Sequence, residues 1–260
     1  MYSELTNKEK AVSVSLPTWK DTIAWARRDP ELLARLKTGY PRFFIPPVVK
    51  ELASKLVELA EPALLPAHKD LQDDGSITPA SQTYQALLFR CSSYAKECQA
   101  YLQSVCSYEQ HPFPIIHVNI AGHIQVIDGI DVHIGCTHRD LYAVVYPSKL
   151  SAEAVAFWQH TGFGISSRCA VHWLEQAPLF RQQGVSKLAF VKELLLAKSD
   201  EPKMAIRKRI ADSLCTSLTD VSAEDVFLYS TGMSAIASTA TALHKLRGND
   251  ATVCKVAVFG

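Results

Sequence analysis

Apolar side chains in the first hundred residues recur every three or four positions, which is the spacing of one helix face. Thr18 is a suitable N-cap for a first helix that carries Ile23 and Trp25. Asp29-Pro30 supplies an N-cap followed by proline at the first helical position, which predicts a second helix, and Gly39 is its predicted stop.

Two longer helices, a strand and a loop complete this part of the pattern. One helix is predicted after Pro46-Pro47 and another from Tyr94 to Val105, with a short strand from Gln85 to Arg90 between them. Lys69 to Ser81 holds three Asp, a Gly and a Pro, which predicts a loop. The residues of the later helix that we expect to face inward are Ala95, Cys98, Leu102 and Val105.

The apolar period changes to two between residues 114 and 147, which is typical of β-strands. Three runs alternate apolar residues with polar ones, and Asp128-Gly129 between two of them is a strong hairpin signal. The continuous apolar run from Leu141 to Tyr146 is a fourth candidate strand. Residues 1–147 are therefore predicted to form an N-terminal α+β domain, an antiparallel sheet with helices on one face.

Helical spacing returns after Pro147. The segments predicted as helices are Ala152–His160, Val185–Lys198 and Met204–Leu214. In the last of these, Ile206, Ile210 and Leu214 are predicted to face inward. Arg207-Lys208-Arg209 is interpreted as a solvated helix face rather than a nucleic-acid contact.

The end of the sequence has the pattern of a βαβ unit. A strand is predicted from Val226 to Tyr229, then a tight turn, a helix from Ser234 to Lys245 and a second strand starting at Lys255. A parallel strand needs neighbours to complete its sheet, so residues 148–260 are predicted to begin a longer α/β domain.

Composition and charge argue against several classes of function. With 27 basic and 26 acidic residues the net charge is +1, which favours neither nucleic acid nor an anionic membrane as partner. No apolar run approaches the roughly 20 residues that span a bilayer, and no signal-peptide pattern is seen, so a cytoplasmic protein is expected. The seven cysteines form no CxxC pair, and His133-x-x-Cys136-x-His138 lacks a second pair, so no metal site is expected.

The turn from Ser230 to Ala235 is a candidate phosphate site. The first N–H groups of a helix have no partner within the helix, and the positive end of its dipole favours an anion. Gly232 allows close approach to the backbone, and the hydroxyls of Ser230, Thr231 and Ser234 can add hydrogen bonds. The same turn also fits tight packing without a ligand, or a stand-alone phosphate or nucleotide binder, although no P-loop lysine accompanies it.

Asp225-Val-Phe-Leu-Tyr-Ser-Thr-Gly-Met-Ser-Ala-Ile236 resembles the phosphate cup of the cystathionine γ-synthase family, trans-sulfuration enzymes that depend on pyridoxal 5′-phosphate (PLP). Three further stretches resemble the fungal branch of that family and occur in the right order. They are Ala11–Asp21, Gly39–Ile45 and Phe157–Arg168. The resemblance covers nearly the whole chain, apart from the 69–81 loop, and corresponds to the N-terminal portion of such an enzyme.

The resemblance implies roles for four residues. Gly232 and Met233 match the backbone donors to the PLP phosphate. Ser167-Arg168 matches the end of a Tyr-x-Arg motif that reaches the PLP phosphate of the neighbouring subunit, and an arginine fork suits two phosphate oxygens. Ser166 stands where the bacterial enzymes have tyrosine, so the tyrosine's part in phosphate binding and proton handling is open. A surface or interface ion pair is the alternative role for Arg168.

The resemblance also implies a fold for the second half. Residues 148–260 would begin a PLP-dependent transferase domain of the aspartate aminotransferase-like type (fold type I). The Schiff-base lysine is expected beyond Gly260, because Lys255 lies at the start of a strand in the wrong place. No catalytic residue is therefore assigned within this chain.

The implied reaction is γ-replacement of an O-acyl-homoserine by a thiol such as cysteine, on small amino-acid substrates, in a dimer or tetramer of identical subunits. Elimination, or substitution by another nucleophile in a secondary-metabolite pathway, is the alternative within this class. The alternative outside it is a non-catalytic, truncated or degenerate family member that acts as an interaction subunit or has no activity.

Overall fold

The computed structural model describes residues 16, 18–36, 44–64, 84–106, 113–119, 122–127, 140–182, 200–217 and 219–246. Several predicted features lie outside these residues: the end of a helix at Gly39, the loop 69–81, the turn at Asp128-Gly129, the helix 185–198 and the strand from Lys255.

The first helices begin where the sequence predicts them. Helix α1 (Trp19–Ala26) is capped by Thr18, and helix α2 (Pro30–Arg35) is capped by Asp29. Each cap accepts hydrogen bonds from backbone N–H groups of the first turn, which the helix itself cannot pair. The longer helix α3 (Pro47–Leu64) starts at the second proline of its pair, as predicted.

A five-stranded sheet forms the centre of the fold. Its strands are β1 (Tyr84–Phe89), β2 (Ile115–Val118), β3 (His123–Ile127), β4 (Leu141–Pro147) and β5 (Arg181–Gln182). Their order is β1-β4-β2-β3-β5. The first four strands pair antiparallel, and the short β5 pairs parallel with β3. The predicted antiparallel sheet is confirmed, with one short parallel strand added at its edge.

Strand β4 lies inside the sheet and is buried along its whole length. Alternate residues of β4 belong to two separate core clusters, Leu141, Ala143 and Val145 on one face and Tyr142, Val144 and Tyr146 on the other. The prediction of helices on one face is therefore wrong, since both faces are covered. A strand with a continuous apolar run has no polar face to expose to solvent, whereas a strand with alternating residues has one.

Four helices cover the two faces. On the first face α3 packs with α6 (Ser167–Gln176), and on the second α4 (Ser92–Val105) packs with α5 (Ser151–Thr161). In α4 the predicted inward residues Ala95, Cys98 and Leu102 are buried. Val105, the last residue of α4, is exposed, so that prediction was wrong for the end of the helix. Because α5, α6 and β5 all follow residue 147, the core extends to Gln182.

The second half of the chain adds helices α7 (Asp200–Leu214) and α8 (Gly232–Leu246). The inward face predicted for α7 is wrong: Ile206, Ile210 and Leu214 are exposed, and Ala211 is the buried residue. Helix α7 packs mainly on the short turn Ala223–Asp225, which is too small to cover its apolar side chains.

The predicted strand Val226–Tyr229 is not formed. These residues have no strand partner in the described part of the chain, and Phe227 is 70% exposed. A strand exists only through pairing, and its predicted parallel neighbour at Lys255 lies outside the described residues.

The start of helix α8 is tied to α5 and α4 by two hydrogen bonds. The hydroxyl of Thr231 donates to the carbonyl oxygen of Gly162 at 3.2 Å, and Tyr94 shares a hydrogen bond with Ser238. Gly162 ends helix α5 with φ +66°, a conformation that L side chains rarely adopt. A Cβ there would lie 2.6 Å from Thr231 Oγ1 and 2.9 Å from Met233 Cβ, so only glycine permits this approach.

The two covered faces predict that α3 and α4 contribute comparably to stability. Leu56→Ala in α3 and Leu102→Ala in α4 each remove a fully buried side chain, one on each face of the sheet. Each should lower the free energy of unfolding by about 2–5 kcal/mol, measured by urea denaturation. The exposed neighbours Lys55→Ala and Gln103→Ala are the controls and should change it by under about 0.5 kcal/mol. An unaffected Leu102→Ala variant would mean that the second face is not a core.

The approach of Gly162 to helix α8 predicts opposite effects for two glycine substitutions. Gly162→Ala should destabilise the protein by at least about 1 kcal/mol, because it combines left-handed backbone strain with the clash against Thr231. Gly232→Ala is the matched control, since a Cβ there meets no atom within 4 Å, and it should not destabilise. Thermal unfolding of both variants is the measurement, and equal melting temperatures would contradict the proposed contact.

Candidate functional site

The candidate phosphate turn is the first turn of helix α8. The helix begins at Gly232, two residues earlier than predicted. Thr231 and Ser234 form a reciprocal pair: the N–H of Ser234 donates to Thr231 Oγ1 at 3.0 Å, and the N–H of Thr231 donates to Ser234 Oγ at 3.1 Å. The Ser234 hydroxyl, which is buried, also donates to the Thr231 carbonyl. These two hydroxyls therefore hold the turn itself rather than standing free for a ligand.

The backbone donors of the turn are the groups that stay available. In the described part of the chain, the N–H groups of Gly232 and Met233 have no acceptor. The space above Gly232 is open, because an added Cβ would meet no atom within 4 Å. Two unpaired N–H groups at the positive end of a 15-residue helix are suited to an anion such as a phosphate.

The predicted pair Ser167-Arg168 begins helix α6. Ser166 is its N-cap and accepts a hydrogen bond from the N–H of Cys169 at 3.2 Å, so serine at this position has a structural function of its own. Ser167 is half-buried, and Arg168 lies exposed on the first turn.

The structure brings two of the sequence motifs together. Gly162 lies within the stretch Phe157–Arg168, and Thr231 lies within Asp225–Ile236, and these two residues are in contact. The loop that leads into the Arg168 helix thus packs against the turn that carries Gly232 and Met233.

A cleft of about 720 Å³ lies beside this turn. Its lining residues are Arg90, Cys91, Ser93, Tyr94, Phe163, Gly164, Ile165, Ser166, Cys169, Arg207, Phe227, Leu228, Tyr229 and Ser230. The sequence did not predict Arg90 or Arg207 as residues of a site, because they lie far apart in the chain and neither belongs to a binding motif. Arg207 is half-buried, which corrects its interpretation as part of a solvated face, whereas Lys208 and Arg209 are exposed as predicted.

The polar groups of the cleft are held by specific contacts. The guanidinium of Arg90 donates to Cys169 Sγ at 3.4 Å. Burial raises the pKa of the Tyr94 phenol, and the hydrogen bond with Ser238 offsets this only in part, so Tyr94 stays neutral at physiological pH. Its ring stacks on Phe163 with 3.9 Å between the ring centroids.

The described ranges hold neither a metal-binding cluster nor a membrane-spanning helix. No group of three or more His, Cys, Asp or Glu side chains there is placed to hold a metal ion, and the motif at His133, Cys136 and His138 lies outside them. No helix in these ranges combines the length and apolar character needed to cross a bilayer.

Comparison with known proteins adds independent evidence on the family that this chain resembles. Residues 49–166 match the family described as the fungal trans-sulfuration enzyme, N-terminal domain. A cystathionine γ-synthase-like enzyme of Amanita muscaria is 26% identical over 95% of this chain and 44% of its own length. An alanine racemase of Aspergillus violaceofuscus is 30% identical over 86% of the chain and 39% of its own length. The cystathionine γ-synthase of Neurospora crassa is 29% identical over 62% of the chain and 23% of its own length. No solved structure matches.

The chain thus spans less than half the length of these curated relatives. The matched domain covers strands β1 to β4, nearly all of α3, helices α4 and α5, and the loop that reaches the Gly232 turn, whereas β5 lies outside it. The predicted resemblance is confirmed: residues 49–166 match the N-terminal domain of the fungal trans-sulfuration enzymes, and the chain is similar over most of its length to a fungal cystathionine γ-synthase-like enzyme.

Proposed function

We propose that this chain forms the phosphate-binding part of a PLP enzyme that catalyses γ-replacement of an O-acyl-homoserine by a thiol such as cysteine. The observation that carries the proposal is that the N–H groups of Gly232 and Met233 have no acceptor among the described residues, at a helix start where a Cβ added at Gly232 would meet no atom within 4 Å. The names of the relatives in Amanita muscaria and Neurospora crassa support the reaction class.

The residues of this chain would hold and orient the cofactor. Gly232 and Met233 donate to the phosphate, and the Thr231–Gly162 hydrogen bond fixes the helix end against the core. Arg168, exposed at the start of α6, adds a charge-assisted fork to the phosphate of the neighbouring subunit, with Ser167 beside it. PLP, when bound, supplies the electron sink for carbanions of the amino-acid substrate.

Several properties of the whole protein are part of this proposal. The second half of the chain would open a fold type I PLP domain whose Schiff-base lysine lies downstream of Gly260, and the protein would be a cytoplasmic homo-oligomer. We place the boundary between the two domains after Gln182 rather than at residue 147, because α5, α6 and β5 share the core of the first sheet.

Amino-acid racemisation is a second candidate, because the relative from Aspergillus violaceofuscus is an alanine racemase. The two reactions share the phosphate site and differ in substrate. In a chain that includes the downstream region, release of the acyl group from an O-acyl-homoserine in the presence of cysteine indicates γ-replacement. Interconversion of L- and D-alanine indicates racemisation. Neither activity, with no cofactor bound, would favour the non-catalytic interaction subunit.

The phosphate site predicts that affinity depends on one backbone N–H. Pyridoxine 5′-phosphate is the appropriate probe, because without an aldehyde it cannot react with surface lysines. Gly232→Pro removes the N–H at a helix position that accepts proline, and should weaken binding by about 10- to 100-fold in calorimetry. Gly232→Ala keeps the N–H and is the control, with affinity near that of the unmodified protein. Equal affinity in the proline and alanine variants would show that the turn does not bind the phosphate.

The proposed role of Arg168 predicts a graded loss of cofactor affinity in the assembled oligomer. Arg168→Ala should weaken PLP binding by about 2–4 kcal/mol, and Arg168→Lys should recover only part, because an ammonium keeps the charge but loses the fork. His172→Ala, also exposed on α6, is the matched control and should bind PLP normally. An alanine variant with unchanged affinity would assign Arg168 to a surface ion pair instead.

A further inference from the structure

The cleft beside the phosphate turn has two walls from different parts of the chain. One wall is formed by the start of α4 and the loop into α6, including Tyr94 and Phe163. The other is formed by Arg207 in α7 and by residues 227–230, which precede α8. Its volume of about 720 Å³ is within the usual range for pockets that bind small organic molecules.

The charged side chains in the described lining of the cleft are all positive. Two arginines line it, Arg90 and Arg207, and none of the described residues in its lining carries a carboxylate. Arg90 is oriented by its contact with Cys169. Arg207 makes no hydrogen bond or ion pair within the described residues, and its Nε is buried without an acceptor. A half-buried guanidinium with no anionic partner among the described residues is suited to a ligand that supplies one.

The rest of the lining suits an apolar body next to that anion. Tyr94 and Phe163 form a stacked pair on one wall, and Phe227 on the other is 70% exposed. An exposed phenyl ring on the rim of a cleft gains stability when a ligand covers it. The hydroxyls of Ser93, Ser166 and Ser230 add a few polar contacts among these apolar surfaces.

We propose that this cleft binds a small organic anion with an aromatic or apolar body and no cationic group, held by Arg90 and Arg207. No described residue of the lining supplies a carboxylate, which disfavours free amino acids, because their ammonium group would have no partner among these residues. The ligand is thus chemically distinct from the amino-acid substrates proposed above. The site is also separate from the N–H groups of Gly232 and Met233, neither of which lines the cleft.

The test measures binding of phenyl phosphate and benzoate to the full chain by ligand-observed NMR, with inorganic phosphate and phenylalanine as comparators. At least one of the two aromatic anions should bind more tightly than both comparators, and the preferred one identifies the ligand as a phosphate or a carboxylate. Arg207→Gln should weaken that binding by about 10- to 100-fold. The matched control is Arg209→Gln, an exposed arginine of the same helix, which should leave it unchanged. Equal losses in both variants would indicate non-specific charge attraction and overturn the proposal.

Two further measurements separate this site from the phosphate turn and from any loss of folding. Gly232→Pro should leave the aromatic anion bound, so a loss there would place binding at the α8 turn and refute a separate site. In the unmodified protein, modification of arginines by phenylglyoxal, mapped by mass spectrometry, should be slowed at Arg207 by the bound anion and not at Arg209. Unprotected Arg207 would overturn the proposal without reference to any variant.

Discussion

Burial of strand β4 on both faces is the constraint on which the rest of the structure depends. All seven residues from Leu141 to Pro147 are buried, so the strand needs a paired neighbour on each edge and a layer of helices above and below. Strands β1 and β2 pair with its two edges. The chain leaves β4 directly into α5 on one face, and it must then cross to the opposite face to form α6.

That crossing creates the surface on which both candidate sites are built. The connection from Gly162 to Ser166 joins the two helix layers, and each of its ends has a separate function. The carbonyl oxygen of Gly162 accepts a hydrogen bond from the Thr231 hydroxyl and so fixes the candidate phosphate turn, while Phe163 and Ser166 line the cleft. Movement of this short connection would change the two sites together, since the same backbone supports both.

Local signals in the sequence predicted those parts of the fold that depend on local chemistry. The caps at Thr18 and Asp29 and the strands near residues 84–89 and 141–147 were predicted because capping, φ restriction and apolar period act within a few residues. The two-sided cover of the sheet was missed, although the unbroken apolar run of β4 was its signal. The inward face of α7 and the strand at Val226–Tyr229 were wrong because both depend on partners distant in the chain.

The contrast between local signals and distant partners also explains the candidate site. A Ser-Thr-Gly-Met-Ser sequence suggests side-chain hydroxyls as ligands, yet the fold uses Thr231 and Ser234 to close the turn. Once they do so, the main-chain N–H groups of Gly232 and Met233 are left without an acceptor among the described residues. Ser166 follows the same logic, because it caps α6 and thereby places Arg168 on an exposed first turn. Small hydroxyl residues in this fold act on the geometry of helix ends. Under both proposals, recognition of an anion is then left to the backbone and to arginines that come from distant positions in the sequence.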